Sequence, residues 1–394
     1  MTRTVWEYFS TQNIIFGNGA IHQINDVLNR FKAKNVLVVT DQGLVKAGIL
    51  DTVLEVIRKG GFHIEVYDQA VPEAPLPSVI EAYEFAKEKN STDVIIGIGG
   101  GSSIDLAKVI ALLIKYGGHP RDYFAEGSVP GPIAPLIAIP TTAGTGSEVT
   151  QVAVVNDVEN NLKVGISDNY LRPAVALLDP SLTVSLPPYV TACSGIDALS
   201  HAIESFTAIE YKNLNATGKI SFQGSYPLTD ALALKAIELI ADNLVMAVQQ
   251  GSNLEARTNM MLGSLLAGMA FSNAGNSLAH ALAYPIGGKV KSPHGEVTGL
   301  LLPHAMRYNS EVAKEKMEQI RKVFNVGHGE AHPADIVEKM LEDIGLPTRL
   351  SQIGIKEEDL EEIAEKSLTI ERLMRNNPRV PDKDSLVELL RKAY

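Results

Sequence analysis

The sequence has few cysteines, no long apolar runs and no apolar segment at its start, and each of these shortages argues against a class of protein. Cys193 is the only cysteine among 394 residues, so no disulfide framework exists and a reducing compartment is expected. No uncharged apolar run reaches the roughly 20 residues that a membrane-spanning helix needs. Residues 1–7 lack the apolar core of a secretory signal. These shortages predict a protein of the cytoplasm without a membrane partner.

Positive charge is also scarce. The 46 aspartate and glutamate residues outnumber the 35 lysine and arginine residues, which gives a formal net charge of −11. No run of lysine and arginine stands out, so a nucleic-acid partner, which needs a basic surface, is not expected. Hydrophobic residues make up 45% of the chain, which is typical of a globular protein that buries large cores.

The first half of the chain alternates apolar, β-branched runs with helical segments. Strands and helices of this kind are predicted at 35–40, 77–90, 93–98, 103–116 and 132–139. Such alternation is typical of an open parallel α/β sheet with right-handed crossover connections. From about residue 188 the periodicity is helical, with almost no strand signal. We therefore predict an α/β nucleotide-binding domain over 1–184 and an all-helical domain over 185–394.

Four potential metal ligands lie in the second half. Asp197 and His201 are four residues apart, so on a helix both side chains share one face. His280 and His294 flank the segment 284–288, whose proline and glycines predict the end of one helix before the next. A carboxylate and three imidazoles suit one divalent metal: Fe(II), Zn(II), Co(II) or Mn(II). Each residue alone is equally typical of a helix cap, a surface group or a hydrogen-bonded core residue.

A glycine-rich turn joins a predicted buried strand to a helix. It consists of Gly99, Gly100, Gly101 and Ser102. Glycines there let the backbone approach a ligand closely, and the free N–H groups of the following helix favour a phosphate. The turn lacks the spaced glycines of the dinucleotide fingerprint, and the alternative interpretation is a merely tight turn. The pattern favours the diphosphate of a cofactor.

Two further stretches follow predicted strands and are candidates for cofactor contacts. Asp41 could accept hydrogen bonds from ribose hydroxyls and repel a 2′-phosphate, which favours NAD over NADP. Its alternative role is the N-cap of the next helix. A second glycine-bearing loop offers hydroxyl groups that could line the ribose or amide of the cofactor, although the same pattern fits a polar turn: Thr141, Thr142, Thr145 and Ser147.

Motifs that cover nearly the whole chain resemble those of the iron-containing (group III) alcohol dehydrogenases. They are GGGSSIDLAK at 99–108, PTTAGTGSE at 140–148, GIDALSHAIE at 195–204, HALAYP at 280–285, PHG at 293–295 and NPR at 377–379. The resemblance implies a dehydroquinate-synthase-like fold and an NAD-linked enzyme that interconverts a primary alcohol and an aldehyde. It also implies iron as the metal, and a homodimer or larger homo-oligomer.

The resemblance assigns roles to individual residues. It implies that the metal ligands are the four residues Asp197, His201, His280 and His294. It further implies cofactor contacts for Asp105, within the first motif, and for Lys163. The sequence alone predicts that Lys163 is an exposed strand lysine.

The chain departs from the family pattern at two places. Many members carry a second histidine where this chain has Tyr284, which argues against a proton relay through that position. Residues 207–227 form an apparent insertion, and parts of it resemble the hydroxyacid–oxoacid transhydrogenase branch, which handles acids such as 4-hydroxybutyrate. Lys212 or Lys219 in this insertion could hold a substrate carboxylate. The alternative is a solvated loop or a dimer contact.

Three other functions are consistent with parts of this pattern. One is a hydroxyacid–oxoacid transhydrogenase or a 4-hydroxybutyrate-type dehydrogenase. A more distant one is a lyase of the dehydroquinate synthase type, which would also use NAD and a metal. The third is a non-enzymatic NAD-binding regulator, which the intact set of metal ligands disfavours.

Overall fold

A computed structural model describes residues 3–89, 91–124, 126–160, 162–216, 220–324 and 330–394. Lys219, one of the two lysines considered above as a carboxylate contact, lies outside the described residues. The strands in the described part are β1 (Asn13–Phe16), β2 (Asn35–Val39), β3 (His63–Tyr67), β4 (Val94–Gly99), β5 (Leu136–Pro140), β6 (Val152–Asp157), β7 (Leu162–Ser167) and β8 (Val175–Leu178).

Helices connect these strands and then form the whole second half of the structure. Those associated with the strands are α1 (Ile24–Arg30), α2 (Gln42–Lys46), α3 (Ile49–Arg58), α4 (Leu76–Glu88) and α5 (Gly101–Tyr116). The later ones are α6 (Pro188–Thr207), α7 (Pro227–Gln249), α8 (Leu254–Ala274), α9 (Leu278–Lys289), α10 (His294–Asn309), α11 (Lys314–Val323), α12 (Pro333–Asp343), α13 (Leu360–Leu368), α14 (Glu371–Met374) and α15 (Lys383–Ala393).

Six strands form one parallel sheet in the order β1, β8, β5, β4, β2, β3. All residues of β4, β5 and β8 are buried, because helices cover both faces of the sheet. This explains why these strands read as continuous apolar runs rather than as alternating patterns. Strands β6 and β7 form a separate antiparallel hairpin, whose Ala153, Val155 and Ile166 pack into the core on the α5 side.

Helix α6 lies at the centre of the helical half. Every residue from Gly195 to Thr207 is buried, including several polar ones. Helix α10 packs closely against α6 because the α10 residues at the contact are glycines, which have no side chain. A Cβ atom at Gly295 would lie 2.1 Å from the Cys193 carbonyl oxygen, and one at Gly299 would lie 2.7 Å from Ile196. This approach brings His294, the first residue of α10, next to the polar face of α6.

The predicted division into an α/β half and a helical half is confirmed. After β8 the described residues contain no further strand, only an isolated bridge between Glu210 and Ser225. The boundary at 184/185 stays a prediction. None of the helices in the described part is both long and apolar enough to cross a membrane.

One local prediction is wrong. The sequence predicted that Pro285 and the following glycines end a helix, but α9 continues through them to Lys289. Proline removes one backbone hydrogen bond and usually kinks or ends a helix. Here the next residue, Ile286, is fully buried in the core that α9 shares with α10 and α13, and that burial favours continuation of the helix.

Candidate metal and cofactor site

A cavity of about 220 Å³ lies where the two halves of the structure meet. On one side it is lined by Gly101 and Ser102, which follow β4 at the start of α5. On the other side it is lined by Asp197 of α6, His280 of α9 and His294 of α10. In open α/β sheets, ligands bind outside the carboxyl ends of the strands, which is the position of this cavity.

The four predicted metal ligands meet at one end of the cavity. Ligand atoms of Asp197, His280 and His294 all lie within 4.8 Å of one another. His201 Nε2 lies 3.9 Å from Asp197 Oδ2. The His201 and His280 rings are stacked with centroids 4.7 Å apart, and the His280 and His294 rings meet edge to face at 5.4 Å. The structure therefore brings together all four side chains that the sequence singled out.

Glu204 fixes the orientation of His280. His280 Nδ1 lies 2.5 Å from Glu204 Oε2, and the same carboxylate accepts the backbone N–H groups of Ser277 and Ala279. A proton held on Nδ1 leaves Nε2 as an acceptor. Nε2 is buried and has no hydrogen-bond partner within the described part of the chain. Such an atom fits a metal ligand backed by a carboxylate.

Asp197 and His201 are oriented in a similar way. The Thr298 hydroxyl donates to Asp197 Oδ1 at 2.9 Å, and His201 Nδ1 lies 3.3 Å from the Gly144 carbonyl oxygen. Donation by Nδ1 leaves His201 Nε2 facing the aspartate. Phe271 stacks on the other face of the His201 ring at 4.1 Å. One oxygen and three nitrogen donors, with fixed tautomers at two histidines, fit a divalent metal.

The protonation states of two of the histidines, His201 and His294, also suit a metal. Burial, followed by the nearby His280, lowers the pKa of His201 well below its usual value. Burial in the cleft lowers the pKa of His294 to about 4, although part of its side chain remains open to the cavity. Burial opposes charge on His280, but Glu204 and Asp197 outweigh it and raise the pKa of this residue. His201 and His294 are therefore neutral at pH 7, the form that binds a metal.

The glycine-rich turn and the second loop pack directly against each other. Gly99 has φ +145°, where only glycine is unstrained. A Cβ atom at Gly100 would lie 3.5 Å from the Thr142 hydroxyl, and one at Gly101 would lie 2.9 Å from Thr145. The N-cap of α5 makes no side-chain hydrogen bond. The backbone at the start of this helix can therefore approach and bind an anionic ligand.

The predicted cofactor residues divide into two groups. Those that line the cavity are Gly101, Ser102, Asp105, Thr145, Ser147 and Lys163. Those that lie outside its lining, along the neighbouring strand ends, are Asp41, Gly99, Gly100, Thr141 and Thr142. The second group extends from the cavity along the carboxyl edge of the sheet, because β2, β4 and β5 are adjacent strands.

The structure shows one of the two roles that the sequence left open for Asp41, and its role towards the cofactor stays a prediction. Its Oδ1 caps α2 by accepting the backbone N–H groups of Gly43 and Leu44. Its Oδ2 accepts the Ser103 hydroxyl at 3.1 Å, which places the carboxylate against the glycine-rich turn. The helix-cap interpretation is therefore correct, and the carboxylate is also close to the loop proposed to hold the cofactor.

Lys163 is not the freely exposed lysine that the sequence alone predicted. Its ammonium lies 2.5 Å from a carboxylate oxygen of Glu73, and it lines the cavity. Glu73 has φ +66°, and its backbone N–H donates to the Ser102 hydroxyl at 3.0 Å. A non-glycine residue in this conformation is strained and is often found at functional sites. Glu73 thus connects Lys163 to the glycine-rich turn.

Asp105 belongs to a buried ionic network. Lys108 is fully buried, and its ammonium donates to the Val152 carbonyl oxygen at 2.6 Å and lies 3.5 Å from Asp105. Asp105 also accepts the backbone N–H of Val154. Burial raises the pKa of Asp105 and lowers that of Lys108. It also raises the pKa of the neighbouring Glu148 to about 7. This network fastens α5 to the β6–β7 hairpin beside the cavity.

Several site residues were missed by sequence reasoning. Glu204 could have been found from its spacing, because it lies three residues after His201 on the same helix. Thr298 could have been found in the same way, because it lies four residues after His294. Phe222 and Arg372 also line the cavity. Phe222 belongs to the stretch that resembles the transhydrogenase branch, whereas no sequence pattern identified Arg372.

Comparison with known proteins agrees with this geometry. The family model described as "Iron-containing alcohol dehydrogenase" matches residues 11–180, and that described as "Fe-containing alcohol dehydrogenase family, C-terminal" matches residues 191–394. Long-chain-alcohol dehydrogenase 1 of Geobacillus thermodenitrificans is 39% identical over 375 residues, which are 92% of this chain and 90% of the relative.

Solved structures share the whole fold. The crystal structure of a 1,3-propanediol oxidoreductase superposes with a TM-score of 0.91 at 33% identity, covering 99% of this chain and 100% of the other. Sulfoacetaldehyde reductase from Bifidobacterium kashiwanohense, solved in complex with NAD+, superposes with a TM-score of 0.87 at 28% identity, covering 99% of both chains. The expected dehydroquinate-synthase-like fold is confirmed. The chain belongs to the iron-containing alcohol dehydrogenase family.

Proposed function

We propose that Asp197, His201, His280 and His294 hold the divalent metal of this NAD-linked alcohol dehydrogenase. The observation that carries the proposal is the buried Nε2 atom of His280. It has no hydrogen-bond partner among the described residues, while Nδ1 of the same ring is held by Glu204. An unpaired buried acceptor is costly, and a metal ion at this point would satisfy it.

The cavity residues would position two reactants side by side. These residues would hold a metal that, when bound, would supply Lewis-acid polarisation of the substrate oxygen, beside a bound NAD that would supply the hydride acceptor. Glu204 keeps the proton on His280 Nδ1, and Thr298 holds the Asp197 carboxylate in place. Phe271 covers one face of His201 and excludes water from that side. A substrate in the cavity would lie between the metal ligands and the start of α5.

We further propose Fe(II) as the metal and NAD as the preferred cofactor. Iron is supported by family membership, and the donor set also fits Zn(II), Co(II) or Mn(II). NAD over NADP is supported by the Asp41 carboxylate, which contacts Ser103 beside the glycine-rich turn and would repel a 2′-phosphate. The proposed cofactor contacts are the residues named above in both loops, together with Lys163. The family resemblance also leads us to propose a homodimer or larger homo-oligomer.

The experiment is a metal-reconstitution assay. Protein stripped with a chelator is mixed anaerobically with Fe(II), Zn(II), Co(II) or Mn(II), and NADH formation is followed with primary alcohols. We expect no turnover without metal and recovery with Fe(II). Turnover that is indifferent to the chelator and to added metal would contradict the proposal. Reduction of an oxo acid by a hydroxy acid without added NAD would instead indicate a transhydrogenase.

A further inference from the structure

Arg372, on helix α14, lines the cavity. Its guanidinium lies over the Phe222 ring, 4.9 Å from the centroid. Within the described residues it makes no hydrogen bond and no ion pair. An arginine carries five N–H donors in a planar fork that matches carboxylate and sulfonate groups. A charged fork left unpaired in a cavity is therefore available to a ligand.

The other charged groups of the cavity already have partners. Lys163 is paired with Glu73, and Asp105 lies next to the buried Lys108. Asp197 faces the three histidines and the proposed metal. Arg372 is thus the cavity cation whose charge is not offset by a neighbouring side chain in the described structure.

Asn276 adds a second unpartnered group on the same wall. The residue is only 8% exposed and lines the cavity, yet among the described residues its side-chain Oδ1 has no hydrogen-bond partner and its side-chain amide makes no bond. The preceding Gly275 has φ +95°, and a Cβ atom there would lie 2.9 Å from the Phe222 side chain. Phe222, Asn276 and Arg372 therefore form one wall of the cavity, which we call the anion wall.

The anion wall lies close to the metal end of the cavity. His280 follows Asn276 by four residues, and His280 lines the same cavity. Arg372 lines this cavity as well. The anion wall and the proposed metal ligands therefore line one cavity of about 220 Å³.

We propose that Arg372, assisted by Asn276, binds an anionic group of the substrate. The preferred substrates are then short alcohols or aldehydes with a carboxylate or sulfonate at the far end. This inference rests on the proposed function, because it requires the metal ligands to fix the hydroxyl end. It also assigns a role to the insertion 207–227, which supplies Phe222 as the platform on which the guanidinium is held.

The inference differs from the prediction that Lys212 or Lys219 holds a substrate carboxylate, of which Lys219 lies outside the described residues. Lys212 does not line the cavity, and its ammonium lies 5.7 Å from the centroid of the Tyr211 ring. Arg372 comes from a helix near the end of the chain and was not connected with the insertion by any sequence pattern. Lys212 is therefore a suitable control position.

The first test compares substrates on the wild-type, metal-loaded enzyme. The value of kcat/KM is measured for 4-hydroxybutanoate and 2-hydroxyethanesulfonate, and for the neutral alcohols 1-butanol and 1-propanol. A charge-assisted hydrogen bond predicts a preference of about tenfold or more for an anionic substrate. Comparison of kcat/KM for the carboxylate and the sulfonate substrates shows which anionic group the site prefers. Comparable values for anionic and neutral substrates would overturn the inference and leave the proposed function intact, whereas no alcohol oxidation at all would contradict the proposed function itself.

The second test uses variants. In Arg372→Met the ratio of kcat/KM for the anion to that for the neutral alcohol is expected to fall about tenfold or more. In Lys212→Met the ratio is expected to stay at the wild-type value. An unchanged kcat/KM ratio in Arg372→Met, or a ratio that falls to the same extent in Lys212→Met, would overturn the assignment to Arg372. Phe222→Leu, which removes the stacking platform, is expected to lower the ratio less than Arg372→Met does.

A third measurement needs no variant and remains valid if Arg372→Met does not fold. Butanoate and its neutral analogue butanamide are compared as inhibitors of 1-butanol oxidation by the wild-type enzyme. We expect butanoate to inhibit at a concentration about tenfold lower, since only the anion pairs with the guanidinium. Equal inhibition by the two compounds would contradict an anion site in the cavity.

Discussion

Replacing Glu204 by glutamine should weaken metal binding without changing the shape of the site. The Glu204 carboxylate accepts three hydrogen bonds, from Ser277 N–H at 3.1 Å, Ala279 N–H at 2.5 Å and His280 Nδ1 at 2.5 Å. Glutamine has the same size but only one acceptor oxygen. Its amide group must then face at least one of the three buried donors.

The magnitude follows from these contacts. Each buried donor that loses its acceptor costs about 1–3 kcal/mol, so the metal-free protein should lose at least that much free energy of unfolding. His280 also loses the carboxylate that fixes its tautomer and makes Nε2 a better ligand. Loss of such a supporting group typically lowers metal affinity about 10- to 100-fold. The loss of metal affinity in Glu204→Gln should therefore be larger than the loss caused by substitution of an uncharged buried residue on the same helix.

The assay is competition with a chelator for Zn(II) or Fe(II), combined with urea unfolding of the metal-free protein. Ser205→Ala is the matched control, because Ser205 is buried on the same helix and, within the described part of the chain, its hydroxyl donates only to the Ala202 carbonyl oxygen. We expect the control to keep wild-type metal affinity. A Glu204→Gln protein with the affinity of the wild type would refute the argument that this carboxylate prepares His280 as a ligand.

Three other perturbations test separate parts of the account. Asp41→Asn keeps an acceptor for the α2 cap but removes the charge, so the ratio of kcat/KM for NADP to that for NAD should rise; an unchanged ratio would reduce Asp41 to a helix cap. Thr298→Val removes the hydrogen bond to Asp197 and should lower metal affinity in chelator competition, by less than Glu204→Gln does. Burial raises the pKa of Glu148 above its ordinary value to about 7, so the folded protein holds this proton more tightly than the unfolded chain. As the pH rises from 4.5 to 7, the free energy of unfolding of the wild type should fall by up to about 3 kcal/mol relative to that of Glu148→Gln, as measured by urea unfolding of the metal-free proteins. The same pH dependence of the unfolding free energy in both proteins would show that this carboxyl is not desolvated.

Much of the fold could be predicted because each element carries a local signal. The runs around Val36–Val39 and Val94–Ile98 are apolar and β-branched, which indicates strands buried on both faces. The glycines of 99–101 mark the turn where backbone and ligand approach each other. The continuation of α9 through Pro285 could not be predicted, because it depends on the burial of Ile286 against helices distant in the sequence.

Part of the candidate site could be predicted because some of its residues are close together in the sequence. Asp197 and His201 share a helix face, so their spacing alone suggested a common ligand. Glu204 lies on that face too, but its role depends on the position of His280, which is brought in by the packing of α9. Arg372 and Phe222 are far apart in the sequence and meet only in the folded chain. Contacts of this kind leave no periodic pattern.

The most direct test of the central claim is the metal content of wild-type protein and His280→Ala, both purified anaerobically and measured by elemental mass spectrometry. We expect the wild type to contain a stoichiometric divalent metal and to oxidise primary alcohols with NAD. We expect His280→Ala, verified as folded by circular dichroism, to retain little metal and little activity, because it loses a ligand whose buried nitrogen has no other partner among the described residues. A folded His280→Ala protein with full metal content and full turnover would contradict the assignment of these four residues as the metal site.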